Sequence, residues 1–155
     1  MGEIERSEFD RAAENLRQAI ENQFKSMKIT RNQLQRFAQL AHICGYNSEL
    51  KAEYQRLGKK ILKKIVDCLG LKRGEYRLSW NPGGIAVSGD HTLHTDKFYL
   101  ALSDNCNMGS FYYRTCSSMR DYCGNQNIHI SRDTFPDKFS NLIESLRRLQ
   151  VDDSN

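Results

Sequence analysis

The spacing of apolar residues divides the chain into a helical first half, a strand-rich segment and a closing helix. Up to about residue 70, apolar side chains recur every three or four positions, as one face of a helix requires. From about residue 75 the spacing changes to two, which is typical of strands, and near residue 135 the helical spacing returns. The pattern predicts an α+β fold: N-terminal amphipathic helices, a mainly antiparallel sheet of four to five strands, and a C-terminal helix packed on one face.

Local start and stop signals predict three helices in the first half. Residues 7–10 and 30–33 each have the form of a capping box. Gly45 and Gly70 are typical helix ends, so the third helix should run from about Ser48 to Leu69. The three predicted apolar stripes are Phe9, Ala12, Ala13, Leu16, Ala19, Ile20 and Phe24; Leu34, Phe37, Ala38, Ala41 and Cys44; and Tyr54, Leu57, Ile61, Ile65, Cys68 and Leu69.

Short strands follow, joined by turns without a crossover helix, so neighbouring strands should run antiparallel. They are predicted around Leu78 and Trp80, Ile85 and Val87, Phe98 to Leu102, Phe111 to Thr115, and Ile128 to Ile130. Trp80 shares a face with Leu78 and is expected in the core. Residues 89–97, GDHTLHTDK, are expected to form a polar turn between strands, with a break near Thr95 and Asp96.

The closing helix should begin at a third capping signal, Thr134 with Asp137, with Pro136 in its first turn. Its apolar stripe is Phe135, Phe139, Leu142, Ile143, Leu146 and Leu149. We therefore expect two helices in an N-terminal region of residues 1–46, an α+β domain over residues 47–150, and a frayed tail at residues 151–155.

Composition points to an untargeted cytoplasmic protein without a transmembrane segment. The first ten residues are acidic and lack the apolar core of a secretory signal, and no apolar run is long enough to span a bilayer. The five cysteines are irregularly spaced and should be reduced thiols: Cys44, Cys68, Cys106, Cys116 and Cys123. No spacing indicates a metal site, and we expect no cofactor.

The net charge of +4 is unevenly placed. Residues 1–24 hold three basic and six acidic residues, whereas residues 51–77 hold nine basic and three acidic ones. The basic residues that surround the third apolar stripe are Arg56, Lys59, Lys60, Lys63 and Lys64. This cluster predicts binding of nucleic acid or another phosphate-bearing ligand. The alternatives are an acidic protein or lipid partner and the ordinary solvated side of an amphipathic helix.

A second candidate binding region is the polar segment of residues 116–127, which is long for a connection between strands. An arginine here could bind phosphate or carboxylate through two hydrogen bonds. Tyr99 and Tyr112 alternate with core residues and could stack on unpaired bases. The candidate binding residues in and beside this segment are Arg114, Arg120, Tyr122, Asn125, Gln126 and Asn127.

The histidines form a further candidate polar site, consisting of His91, His94 and His129. On a strand, His91 and His94 would point to opposite faces, which disfavours a joint metal site. An enzyme would need one histidine beside an acid–base partner in a single pocket. The partners available are Asp90, Asp96 and Arg120.

No catalytic motif is present, so the sequence favours a small non-catalytic binding or regulatory protein. Its basic third helix would attract a nucleic acid or other anion, and the polar segment would add specificity. One alternative is a protein-interaction module in which the acidic first helix and the basic third helix form an interface. A second alternative is a small enzyme that uses the histidines.

Overall fold

The computed structural model describes residues 7–15, 29–43, 47–81, 89–103 and 111–151. Its helices are α1 (residues 7–15), α2 (Arg31–Ile43), α3 (Ser48–Leu69) and α4 (Phe135–Val151). Its strands are β1 (Tyr76–Asn81), β2 (Asp90–Thr95), β3 (Phe98–Ser103), β4 (Phe111–Thr115) and β5 (Ile128–Ile130). The α+β class predicted from the apolar spacing is confirmed.

The five strands form one antiparallel sheet in chain order, from β1 at one edge to β5 at the other. Because side chains alternate along a strand, each cross-strand row lies on one face. One row faces the helices and consists of Leu78, Leu93, Leu100 and Tyr113. The adjacent row lies on the far face, turned away from α2, α3 and α4, and consists of Arg77, His94, Tyr99 and Arg114.

The core lies between the sheet and the three helices α2, α3 and α4. Phe37 of α2 stacks on Tyr54 of α3 with ring centroids 4.8 Å apart, and lies 5.4 Å from Phe111 of β4. Phe111 in turn meets Phe135 of α4 edge-on at 4.8 Å. The domain boundary predicted after residue 46 falls between α2 and α3, two helices that share this core.

Caps fix the ends of the central helices. Thr30 and Gln33 bond each other's backbone amides, as predicted: Thr30 Oγ1 accepts from the Gln33 amide at 3.1 Å, and Gln33 Oε1 accepts from the Thr30 amide at 3.0 Å. Asn47, which the prediction did not include, caps α3 by accepting from two amides of its first turn. Gly70 ends α3 in the left-handed conformation, with φ of 64°.

The prediction of a polar turn at residues 89–97 is wrong for most of that segment. Asp90–Thr95 is strand β2, and its residues from His91 onward are buried despite their polarity. The helices cover one face of β2 and the segment after β4 covers part of the other, so both sets of alternating side chains lose contact with solvent. The predicted break is confirmed, because β2 ends at Thr95 and β3 begins at Phe98.

Trp80 also differs from its prediction. It lies on the helix side of the sheet as expected, but β1 is an edge strand and 38% of the residue is exposed. The described residues of α1 are all exposed, including Phe9 of its apolar stripe. None of the described helices has the length and apolar character needed to cross a bilayer.

Several predicted features fall outside the described residues. They are the strand at Ile85 and Val87, the later part of the first apolar stripe from Leu16 to Phe24, the helix end at Cys44 and Gly45, Cys106, and residues 152–155 of the tail.

Candidate functional site

Four cations lie along one side of α3, and we refer to Arg56, Lys59, Lys60 and Lys63 as the basic face. Their spacing places them on neighbouring turns of the same side of the helix. The opposite side of α3 is apolar and packs into the core, which leaves this side outward. An open groove of about 540 Å³ runs along the basic face, with Ala52 completing its lining alongside Gln55.

Trp80 adjoins the basic face where α3 passes the edge strand β1. The Nζ atom of Lys59 lies 4.8 Å from the centroid of the indole ring. One turn earlier on α3, the side-chain amide of Gln55 donates to the carbonyl oxygen of Asn81 at 3.4 Å. These contacts hold an exposed aromatic ring beside a row of cations.

The cations of the basic face lack close ion-pair partners among the described residues. Among the described residues, no carboxylate lies within ion-pair distance of its four cations. Lys64 belongs to the cluster predicted from the sequence but has an ion-pair partner, since its Nζ atom lies 3.9 Å from Oδ2 of Asp67. The four cations of the basic face are therefore the part of the predicted cluster that has no carboxylate within ion-pair distance among the described residues.

The polar loop of residues 116–127 packs on the far face of the sheet. Arg114 donates from Nη2 to the carbonyl oxygen of Tyr122, and Arg77 donates from Nη1 to the Tyr122 hydroxyl at 2.9 Å. The Arg114 guanidinium also stacks on the ring of Tyr99, with Cζ 4.3 Å from its centroid. The loop and the basic face of α3 thus lie on opposite sides of the sheet and do not form one surface.

Asp121 organises the inside of this loop. Its carboxylate accepts hydrogen bonds from the Gly124 and Ser117 amides, the Ser117 hydroxyl and the Cys123 amide, at 2.9 to 3.2 Å. These bonds, the one from Gly124 most of all, lower the pKa of Asp121 to about 2. Asp121 is therefore ionised at neutral pH and serves the fold of the loop.

The predicted loop residues divide into structural and accessible ones. Asn125 is structural, since its side-chain amide donates to Oγ1 of Thr115 at 2.5 Å and its backbone amide to the Thr115 carbonyl. Arg114 is nearly buried and holds the loop through Tyr122. The residues whose side chains are accessible to a ligand are Arg120, Tyr122, Gln126 and Asn127.

The three candidate histidines do not converge. His91 faces the helices, fully buried between Phe37 and Tyr54 at ring distances of 5.7 and 5.0 Å. Burial lowers the pKa of His91 to about 4, so the ring is neutral and part of the core. His94 and His129 lie on the far face, but three strand spacings and two residues of register apart, or about 16 Å.

Of the candidate acid–base residues, His94 and Asp90 line one far-face pocket, but they lie four residues apart on β2, about 13 Å along the strand, and so do not form a pair. The other candidates do not line it, namely His91, His129, Asp96 and Arg120. Cys116 is no activated nucleophile, because burial raises the pKa of its thiol and Sγ donates to the Thr95 carbonyl.

The sequence does not predict Arg77, Ser79 and Thr92, which line the same pocket as His94. Nothing in their local pattern marks them, since the pocket exists only once β1 and β2 are in register. Tyr99 also lines it, and its alternation with Phe98 in the sequence does predict that it lies on the face opposite Phe98. Among the described residues, no group of three histidine, cysteine, aspartate or glutamate side chains could hold a metal ion. Comparison with protein-family models, curated proteins and solved structures finds no match.

Proposed function

We propose that this protein binds single-stranded nucleic acid through the basic face of α3 and the adjoining Trp80. The observation that carries the proposal is the row of four cations without an ion-pair partner among the described residues. A rigid helix that presents such a row attracts the regularly spaced charges of a phosphate backbone, independently of sequence.

Trp80 favours nucleic acid over a merely solvated helix side. Lysine stems alone could cover apolar surface and explain the charges. A solvated face does not require an exposed indole, and 38% of Trp80 remains accessible beside Lys59. An exposed aromatic ring next to cations is the combination that stacks an unpaired base while lysines contact the phosphates.

The first test is fluorescence anisotropy of labelled single- and double-stranded oligonucleotides at increasing salt. Four phosphate contacts to a single strand predict a slope of about −3 in a plot of log affinity against log salt. The affinity should therefore fall about 50-fold between about 50 and 200 mM salt. Absence of binding at the lower salt concentration would contradict the proposal.

Matched charge variants locate the interaction. Replacing Lys59, Lys60 and Lys63 with glutamate should abolish binding. The control replaces Lys72, Arg73 and Lys138, three exposed cations outside the groove, and changes the net charge equally. Equal loss in both variants would mean that overall charge, and not the basic face, attracts the oligonucleotide.

Trp80 offers a direct readout, because it is the single tryptophan of the chain. Base stacking should quench its fluorescence, and Trp80→Leu should weaken single-strand binding about tenfold, within the range for one stacked base. Polyglutamate serves as a phosphate-free polyanion. If it binds as tightly as the oligonucleotide and leaves Trp80 fluorescence unchanged, the basic face suits an acidic protein instead.

A further inference from the structure

The far face of the sheet carries a pocket of about 270 Å³ that the nucleic-acid proposal does not use. Its floor consists of the short side chains of Ser79 and Thr92, which pair across β1 and β2. The Thr92 hydroxyl donates to the Ser79 carbonyl at 3.4 Å. Longer side chains stand around this floor, so the depression is part of the sheet itself.

One end of the pocket carries the positive charge of Arg77. Arg77 and His94 are register partners on β1 and β2, and both line the pocket. Among the described residues, no carboxylate lies within ion-pair distance of Arg77. Its Nη1 atom donates to the hydroxyl of Tyr122, which lines the same pocket from the loop.

His94 supplies the feature that points to a ligand. It is 2% exposed, and its Nε2 atom lies 3.1 Å from the carbonyl oxygen of Ser118. A carbonyl oxygen only accepts, so Nε2 carries the hydrogen and Nδ1 of the neutral ring is an acceptor. Among the described residues, Nδ1 has no hydrogen-bond partner. His94 lines the pocket, and a buried polar nitrogen is expected to have a partner.

We propose that this pocket binds a small phosphomonoester, whose phosphate lies between Arg77, His94 and Tyr122. A phosphomonoester has three terminal oxygens, which match the guanidinium, the tyrosine hydroxyl and Nδ1. With the proton on the phosphate, P–OH donates to Nδ1; with the proton on His94, Nδ1–H donates to the phosphate. An ionised carboxylate only accepts hydrogen bonds, so it has no hydrogen to donate to Nδ1 of the neutral ring.

The polar body of the ligand extends over Ser79 toward Asn81 and Asp90 at the other end of the pocket. Arg77 and Asn81 are four residues apart on β1, a distance of about 13 Å along the strand. A nucleoside monophosphate or a sugar phosphate has this arrangement of one anionic group and a hydroxyl-bearing body.

Binding should be accompanied by proton uptake at His94. Burial lowers the pKa of His94, and the positive charges of Arg77 and Arg114 lower it further. The hydrogen bond to the Ser118 carbonyl and the negative charge of Asp121 raise it. The other titratable groups that face the ring are Tyr99 and Tyr122. A phosphate beside Nδ1 adds negative charge and favours the protonated ring. Calorimetry near neutral pH in buffers of different ionisation enthalpy measures this uptake.

The test titrates the full chain with adenosine 5′-monophosphate, ribose 5-phosphate, inorganic phosphate and, as the phosphate-free control, adenosine. Binding of either organic phosphate at least about tenfold more tightly than inorganic phosphate and adenosine supports the proposal. The tighter of the two identifies the body of the ligand as nucleoside or sugar. Equal affinity for all three phosphates, or no binding at millimolar concentration, overturns it.

Two variants locate the ligand, and a third is the control. Arg77→Met removes the charge but keeps the stem, and should weaken binding at least about tenfold. Ser79→Leu fills the floor from an exposed strand position and should abolish binding. Arg73→Met, in the turn before β1, should leave the affinity unchanged. Neither pocket variant alters the basic face of α3, so oligonucleotide binding measured in parallel separates failure of this proposal from failure of the first.

Discussion

The imidazole ring of His91 lies directly against Gly58 of α3. A Cβ atom at position 58 would be 2.3 Å from Nε2 of His91 and 2.5 Å from two carbons of the ring. His91 is fully buried between Phe37 and Tyr54, so its ring has no free space to move into. The absence of a side chain at position 58 is what allows α3 to lie this close to β2.

Gly58→Ala should therefore destabilise the protein. Helix propensity alone predicts a gain of about 1 kcal/mol for this change, whereas overpacking costs about 1–3 kcal/mol or more. A contact of 2.3 Å warrants the upper end of that cost, so we expect a net loss of about 2 kcal/mol in the free energy of unfolding, measured by chemical denaturation. In a His91→Ala background the same change should be neutral or stabilising. A stabilising effect in the wild-type background would show that the two elements separate easily.

The protein should become less stable as the pH is lowered, because His91 is buried in its neutral form. Its pKa is about 4 in the folded protein and about 6.5 when unfolded, so the unfolded state binds the proton more readily. The contribution is present above about pH 6.5 and is lost as the pH falls toward 4, about 3 kcal/mol in all.

The measurement compares wild type with His91→Leu by denaturation across this range. The wild type should lose about 3 kcal/mol more than the variant between pH 6.5 and 4. His94, whose pKa burial also lowers, contributes in the same direction in both proteins. Parallel pH profiles for the two proteins would rule out His91 as the source.

The far-face loop depends on Gly124. Its φ is +52°, and a Cβ atom there would lie 2.6 Å from Cδ and Nε of Arg114. Gly124→Ala should loosen the loop and raise the rate of tryptic cleavage after the exposed Arg120 about tenfold, since cleavage follows local opening. Cys123→Ala, at the exposed neighbouring position, is the control and should be cleaved at the wild-type rate. Equal rates in all three proteins would contradict the role of Gly124.

Asp121 should be needed in its charged form for the same loop. Its pKa of about 2 keeps it ionised, and both carboxylate oxygens accept hydrogen bonds. Asp121→Asn replaces one acceptor oxygen with an NH2 group, which would face the N–H and O–H groups that now donate to the carboxylate. Cleavage after Arg120 should therefore again accelerate at neutral pH. Asp133→Asn alters an exposed carboxylate outside the loop and should have no effect. Unchanged cleavage in Asp121→Asn would show that other contacts suffice to hold the loop.

The candidate sites were only partly predictable from the chain. The basic face followed from the spacing of Lys59, Lys60 and Lys63, because side chains three and four positions apart on a helix share a side wherever the helix packs. The far-face pocket could not be predicted from residue spacing. It combines Arg77, His94 and Tyr122, whose proximity depends on strand register and on how a twelve-residue loop folds back.

The amino-acid sequence alone determined the elements whose causes are local. The spacing of apolar residues set the order of helices and strands, the reciprocal bonds of Thr30 and Gln33 began α2, and Gly70 ended α3 because its φ is positive. Only the tertiary structure decided burial on β2 and the sides of the sheet. The local sequence predicts a polar turn at His91 and His94. In the structure the helices enclose His91 and the loop encloses His94, because burial depends on distant segments that no local pattern contains.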